Sequence, residues 1–313
     1  TDAVDFVNDT RAYEEALQAF QEFHPLRNQF YGETGDARTA GERQLYRANT
    51  YGSDAALFVL DTRSFRDAQL PPADLTNPVP FLVNTFDPTR TLLGKAQLSD
   101  LKTDLLAAET NGITWKFIAV PEPIQNFGVV NAEDRFEGYA AERTELLKFI
   151  DDNQIENVVF FAGDFHGTLV NNLTYQTAPG QPQIQTSAFE IVTGPAAFFD
   201  GLFGPTVAQL SAAAGFITPE QFGFYQTLPV APDSDSLPND KDDFVKQLLK
   251  VQTDLLGYDP LGLENSPIDA TLLQGDYLST HTYGWTQIDI DQATQKLTVT
   301  TYGVPTDPEP AGG

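Results

Sequence analysis

The sequence predicts an α/β protein. Short apolar runs alternate with amphipathic helical stretches through the middle of the chain, in the order strand, helix, strand, helix, strand. The composition agrees: 41% hydrophobic and 20% charged residues belong to a folded chain, not a disordered one. A length of 313 residues is enough to bury a real core, and no composition break marks a second domain.

The elements follow in order. Tyr13, Ala16, Leu17, Phe20 and Phe23 recur at helical spacing. Asp9 or Thr10 stands ready as N-cap and Pro25 as the stop, which places His24 as a C-terminal cap. Ala55–Leu60 is a β-like run ending in Asp61-Thr62-Arg63. Residues 71–90 hold five prolines and are expected to be a surface loop without an element of their own. Leu98, Leu101, Leu105 and Ala108 form one face of a helix that Asn111-Gly112 ends, and Trp115–Val120 is a buried strand. Ala140–Asp152 is a helix with Leu146, Leu147 and Ile150 inward, and Val158–Ala162 is a second buried strand. Ile184–Thr193 is expected as a strand, 206–226 and 242–255 as helices, and 229–243 as a surface loop. The alternation of 286–291 and 297–302 predicts a terminal hairpin over 286–303.

Charge and composition exclude several function classes. Eighteen basic residues against 44 acidic ones give a net charge of -26 and a pI near 4.2. Such a chain repels nucleic acid backbones and anionic lipid surfaces. No run approaches the ~18 consecutive apolar residues of a membrane span. Without cysteine there are no disulfides, thiolate metal sites or cysteine nucleophiles. Neither a Gly-x-Ser-x-Gly elbow nor a phosphate-cradling P-loop occurs. Without methionine, Thr1 is not a translation start, so the chain is expected to be processed or part of something longer, with any export signal upstream.

Only three histidines exist: His24, His166 and His281. A metal site must therefore rely mainly on oxygen donors, which favours hard cations such as calcium or iron(III). The strongest local signal is Val158–Ala162 running into Gly163-Asp164-Phe165-His166-Gly167. Ligands gather at the carboxyl ends of strands in α/β sheets. If the backbone stays extended, Asp164 and His166 face the same side. Spacing alone leaves two readings open: a pair of metal ligands, or a strand end with an Asp turn and a hydrogen-bonded His.

Other candidates are weaker. Arg63, with Asp61 and Arg66, could clamp a phosphate, but a structural ion pair is the commoner use. Asn171 and Asn172 could offer amide oxygens, though polarity in a turn explains them as well. His281 lies among aromatic neighbours and reads as packing or as the rim of a site.

Five blocks carry a resemblance. They are Leu45-Tyr46-Arg47 with Gly52, then Leu57–Asp67, then Leu93-Gly94-Lys95-Ala96-Gln97-Leu98, then Trp115-Lys116, and Gly138-Tyr139-Ala140-Ala141-Glu142-Arg143, followed by the Gly-Asp-x-His-Gly stretch. In order and spacing they resemble the PhoD-like phosphatases of the calcineurin-like metallophosphoesterase superfamily. The resemblance covers residues 13–170 well and is weaker beyond. It implies a two-sheet αββα sandwich, secretion to an extracellular or periplasmic space, hydrolysis of phosphate mono- or diesters, and Fe3+ and Ca2+ as cofactors. It implies Asp164 and His166 as metal ligands, while Asn171 and His281 as further ligands and Arg63 as a distant phosphate contact rest on the residues alone. The family's early Gly-Asp-x-x-Tyr and Asp-His-Glu…Asn blocks are absent. Gly275-Asp276-Tyr277 lies in the wrong part of the chain to replace the first. The expectation is a C-terminal portion whose first strands are missing and whose site an N-terminal fragment of the same precursor completes. The competing expectations are a catalytically inactive extracellular relative and an acidic calcium-binding surface protein.

Overall fold

The computed structural model describes residues 10–197, 201–230, 237–256, 258 and 261–305. The protein is mixed α/β, as the alternation of runs predicts. Its chain divides into two compact units. One comprises 1–121, 129–157 and 177–179. The other comprises 122–128, 158–176 and 180–313.

In the first unit, α1 (Arg11–Phe23) begins on Thr10, whose hydroxyl accepts from Tyr13 N. It ends on His24, whose N–H donates to Phe20 O and whose ring stacks on Phe20 at 4.1 Å. No residue of α1 is buried among the described residues, and Phe23 is 85% exposed. The strands β1 (Arg47–Tyr51), β2 (Ala55–Val59) and β3 (Trp115–Ala119) lie in that order. β1 is antiparallel to β2, and β2 is parallel to β3. β1 gave no signal in the sequence because all but one of its five residues are exposed. α2 (Val79–Thr85) corrects the expectation of an element-free 71–90. Its prolines sit at the helix start, where a missing N–H costs nothing, and Phe81 and Thr85 are buried. α3 (Lys95–Thr110) and α4 (Ala140–Asp152) fall where their apolar faces predict.

In the second unit, β4 (Val158–Ala162), β6 (Ile184–Val192), β5 (Thr168–Tyr175) and β7 (Leu278–Ser279) form the order β4-β6-β5-β7. β4 runs parallel to β6, and β5 runs antiparallel to it. The segment 206–226 is two helices, α5 (Phe203–Ala213) and α6 (Pro219–Thr227). Gly215, at φ +75°, interrupts them, and Thr218 with Gln221 forms a reciprocal capping box. α7 (Lys241–Leu256) starts inside the expected 229–243 loop, of which 231–236 lie outside the described residues. The terminal hairpin is β8 (Thr282–Ile290) paired with β9 (Leu297–Pro305), which begins four residues before the predicted start.

Buried polar side chains tie the blocks of the first unit together. Gln97 accepts from Asp61 N at 2.8 Å and donates to Asp61 O at 2.7 Å and Leu93 O at 2.8 Å. Glu142 accepts from Leu92 N and Leu93 N, both at 2.8 Å, and from the Thr91 hydroxyl. Burial pushes the Glu142 carboxyl up, and these bonds work against that rise. Gly94 takes φ +78°, and a Cβ there would stand 2.7 Å from Phe65 Cβ. Lys116 is buried at 2% exposure, with Glu109 at 2.5 Å and Glu156 O at 3.1 Å.

Gln97→Leu keeps the volume but leaves one buried N–H and two carbonyls unbonded. We expect a loss of about 2–4 kcal/mol in urea unfolding. A loss under about 0.5 kcal/mol would show that water replaces the amide.

Candidate functional site

β4 and β5 flank β6 on opposite sides, so the Gly163–Gly167 segment between them crosses over the carboxyl end of β6. The backbone does not stay extended there, which corrects the expectation of a shared face. Asp164 and His166 both take left-handed conformations, at φ +63° and +62°. Two such non-glycine residues in one turn are uncommon, and such strain gathers at functional sites. Asp164 is exposed and His166 half-buried. Phe165 between them points inward and is stacked between Phe127 at 4.8 Å and Phe203 at 3.9 Å. The His166 carbonyl accepts from Phe203 N at 2.9 Å.

The end of β6 meets the same turn. Thr193 N donates to Ala162 O at 2.9 Å, and Gly194 N donates to the Thr168 hydroxyl at 3.1 Å. Inside β6, Glu190 is fully buried and accepts from Ile124 N at 2.8 Å and Gln125 N at 3.0 Å, fixing the segment 122–128. The sequence reading missed Glu190. A single acidic residue in the apolar run Ala188–Val192 is the signal that could have found it.

The other candidates fare differently. Asn171 and Asn172 are buried in β5, not in a turn. Asn172 donates to Thr186 O and Ala188 O at 2.8 and 3.1 Å, satisfying carbonyls where the register with β6 shifts. The Asn171 amide oxygen accepts from Gly262 N at 3.2 Å, so protein already occupies the atom a metal would need. His281 is 4% exposed, and both ring nitrogens are engaged: Nδ1 with Asp242 and Nε2 with the Tyr225 hydroxyl, each at 2.8 Å. That is the packing role, with neither nitrogen left over for a cation. Asp276 pairs with Lys246 at 2.8 Å. Among the described residues, no three His, Asp or Glu side chains form a metal-binding group.

Arg63 lies in the first unit as one half of an ion pair, 3.0 Å from Asp134. Arg66 reaches the same carboxylate at 2.6 Å, and Gln69 also donates to it. The Asp61 carboxylate accepts from Arg63 N and Ser64 N, shaping the turn. A cavity of about 620 Å³ in this unit is lined by Arg27, Tyr46, Arg47, Asp100 and Asp104, and includes none of the candidate residues.

A family model described as PhoD-like phosphatase matches residues 5–219, more than two thirds of the chain. The chain belongs to the PhoD-like phosphatase family. The match continues past residue 170, where the sequence blocks thin out, and stops short of the terminal hairpin. A curated relative, alkaline phosphatase D of Bacillus subtilis (strain 168), is 33% identical over 173 residues. That alignment spans 50% of this chain and 26% of the relative. A solved structure titled "Structure of PhoD" is 30% identical, with a TM-score of 0.43. It covers 57% of this chain and 33% of its own. This PhoD-like chain therefore spans about a quarter of the length of the curated relative. No helix among its described residues is long and apolar enough to cross a membrane.

The Asp134 tie gives a test. Burial alone would raise its carboxyl, but the bonds from Arg66 and Gln69 and the charge of Arg63 outweigh it, so it sits below the ordinary 3.8. A depressed carboxyl stabilises the fold above its unfolded value and loses that contribution as the pH falls through its folded value. Wild type should therefore exceed Asp134→Asn in urea unfolding above about pH 4, and the gap should close as the pH drops toward 3. A gap constant across pH 3–7 would show that the charge is idle.

Proposed function

We propose that this chain supplies part of the active centre of a metal-dependent phosphoester hydrolase, with Asp164 and His166 as metal ligands. The observation that carries the reading is the pairing of membership in a phosphatase family with a left-handed Asp-x-His turn at a strand's carboxyl end. Asp164 offers a hard carboxylate oxygen in an exposed position, and His166 offers an imidazole. The carboxylate oxygen fits either calcium or iron(III), and the imidazole nitrogen fits the iron. A preceding segment of the same precursor supplies the remaining ligands, and the assembled fold is the two-sheet αββα sandwich. Bound cations would neutralise the charge that develops on the phosphoryl group.

This chain's own residues act by placement. The Phe127–Phe165–Phe203 stack anchors the turn through the residue between 164 and 166, and so gives both a rigid base. The substrates are phosphate monoesters, with diesters as the alternative, and the acidic chain works in a secreted, extracellular or periplasmic setting. Arg63 is the distant phosphate contact, and its Nη1 is paired with Asp134.

The test uses the complete natural chain. His166→Gly removes the imidazole while tolerating the left-handed backbone. It should fold as wild type by circular dichroism and lose at least about a hundredfold in kcat/KM on p-nitrophenyl phosphate. Near-normal turnover would remove His166 from the site. A wild-type complete chain that hydrolyses neither mono- nor diesters would make this an inactive relative used for binding or structure.

A further inference from the structure

A buried polar cluster stands behind the Gly163–Gly167 turn. Asp242, at the start of α7, is 1% exposed. One of its oxygens collects three donors: Thr280 N at 2.7 Å, the Thr280 hydroxyl at 2.6 Å and His281 Nδ1 at 2.8 Å. A carboxylate only accepts, so Nδ1 carries a proton toward Asp242, and Nε2 meets the Tyr225 hydroxyl. Burial and the charge of Asp242 push the Tyr225 phenol up, which keeps it protonated. Burying a carboxylate is costly, and packing alone would be met more cheaply by apolar residues.

Thr280 joins this cluster to the turn. A Cβ on Gly167 would stand 2.9 Å from Thr280 Cγ2, so the two backbones approach as closely as glycine allows. Ser279, one residue earlier, pairs with Thr168 in the β5–β7 ladder. The Thr280 carbonyl accepts from Gly204 N at 3.1 Å. Gly204 follows Phe203, whose N–H holds the His166 carbonyl and whose ring stacks on Phe165. Both sides of the turn, Gly167 directly and His166 through α5, therefore rest on a threonine that Asp242 fixes.

We propose that Asp242, acting through Thr280, is a positioning residue for the Asp164–His166 pair: it sets the backbone of His166 and Gly167 and so the aim of both side chains. This rests on the ligand assignment made above. It predicts a local effect that loss of global stability would not reproduce.

The experiment measures amide hydrogen exchange and Co2+ affinity, by absorption titration, in the complete chain first stripped of metal. Asp242→Asn should speed exchange at 163–167 by about tenfold or more, leave 158–162 as protected as in wild type, and weaken Co2+ binding by about tenfold or more. Leu249→Ala, a buried apolar change on the same helix, should lower stability without either local effect. If Asp242→Asn does not fold, Thr280→Val keeps the methyl against Gly167 and drops only the hydroxyl donor, and should show the same pattern more weakly. Uniform acceleration across β4, β5 and the turn with unchanged Co2+ affinity, matching Leu249→Ala, would overturn the proposal. If His166→Gly leaves Co2+ affinity at the wild-type level, the ligand assignment fails instead, and the exchange pattern still decides whether Asp242 positions the turn.

Discussion

A peptide group buried away from water must be hydrogen-bonded, and this protein meets that demand outside its strands and helices with buried polar side chains. Each strand must leave the sheet, and at that point its backbone loses its ladder partners. Gln97 takes over both groups of Asp61 just past β2. Glu142 bonds the backbone that leads into α3. Glu190 binds the segment after β3, and Asp242 binds the approach to β8. Remove these four side chains and the hydrophobic pattern is intact, yet the buried peptide groups they hold are left without partners.

The same demand explains what was legible in the sequence. Helices α3 and α4 and strands β2, β3 and β4 were readable because each buries one contiguous apolar run or face. β1 was not, because almost nothing in Arg47–Tyr51 is buried. β5 was hidden for the opposite reason: Thr168, Asn171, Asn172 and Thr174 are buried polar residues whose partners lie far along the chain. Polarity stands for turns only where water supplies the bonds, and here protein does. The prolines around α2 misled in a related way, since proline is hostile to a helix interior but not to its first turn.

The motif blocks became intelligible once their contacts were visible. The glutamine of the Leu93–Leu98 block bonds the backbone of the Leu57–Asp67 block, and the glutamate of the Gly138–Arg143 block bonds the backbone of the Leu93–Leu98 block. Their order along the chain reflects one joined scaffold rather than separate ligand sites. Of the candidate site residues, Asp164 and His166 were placed correctly at a strand's end, but the geometry of their turn was not readable, because no local pattern announces two left-handed residues in succession around a buried phenylalanine.

That turn has an evolutionary implication. Aspartate, asparagine and histidine are the non-glycine residues that best tolerate a left-handed backbone, so one choice of residue at 164 and 166 serves both the bend and any ligand role. A glycine at either position keeps the bend and discards the side chain's donor. If the proposed ligand role holds, a lineage could lose it in one or two substitutions and keep every strand where it stands, without crossing an unfolded intermediate.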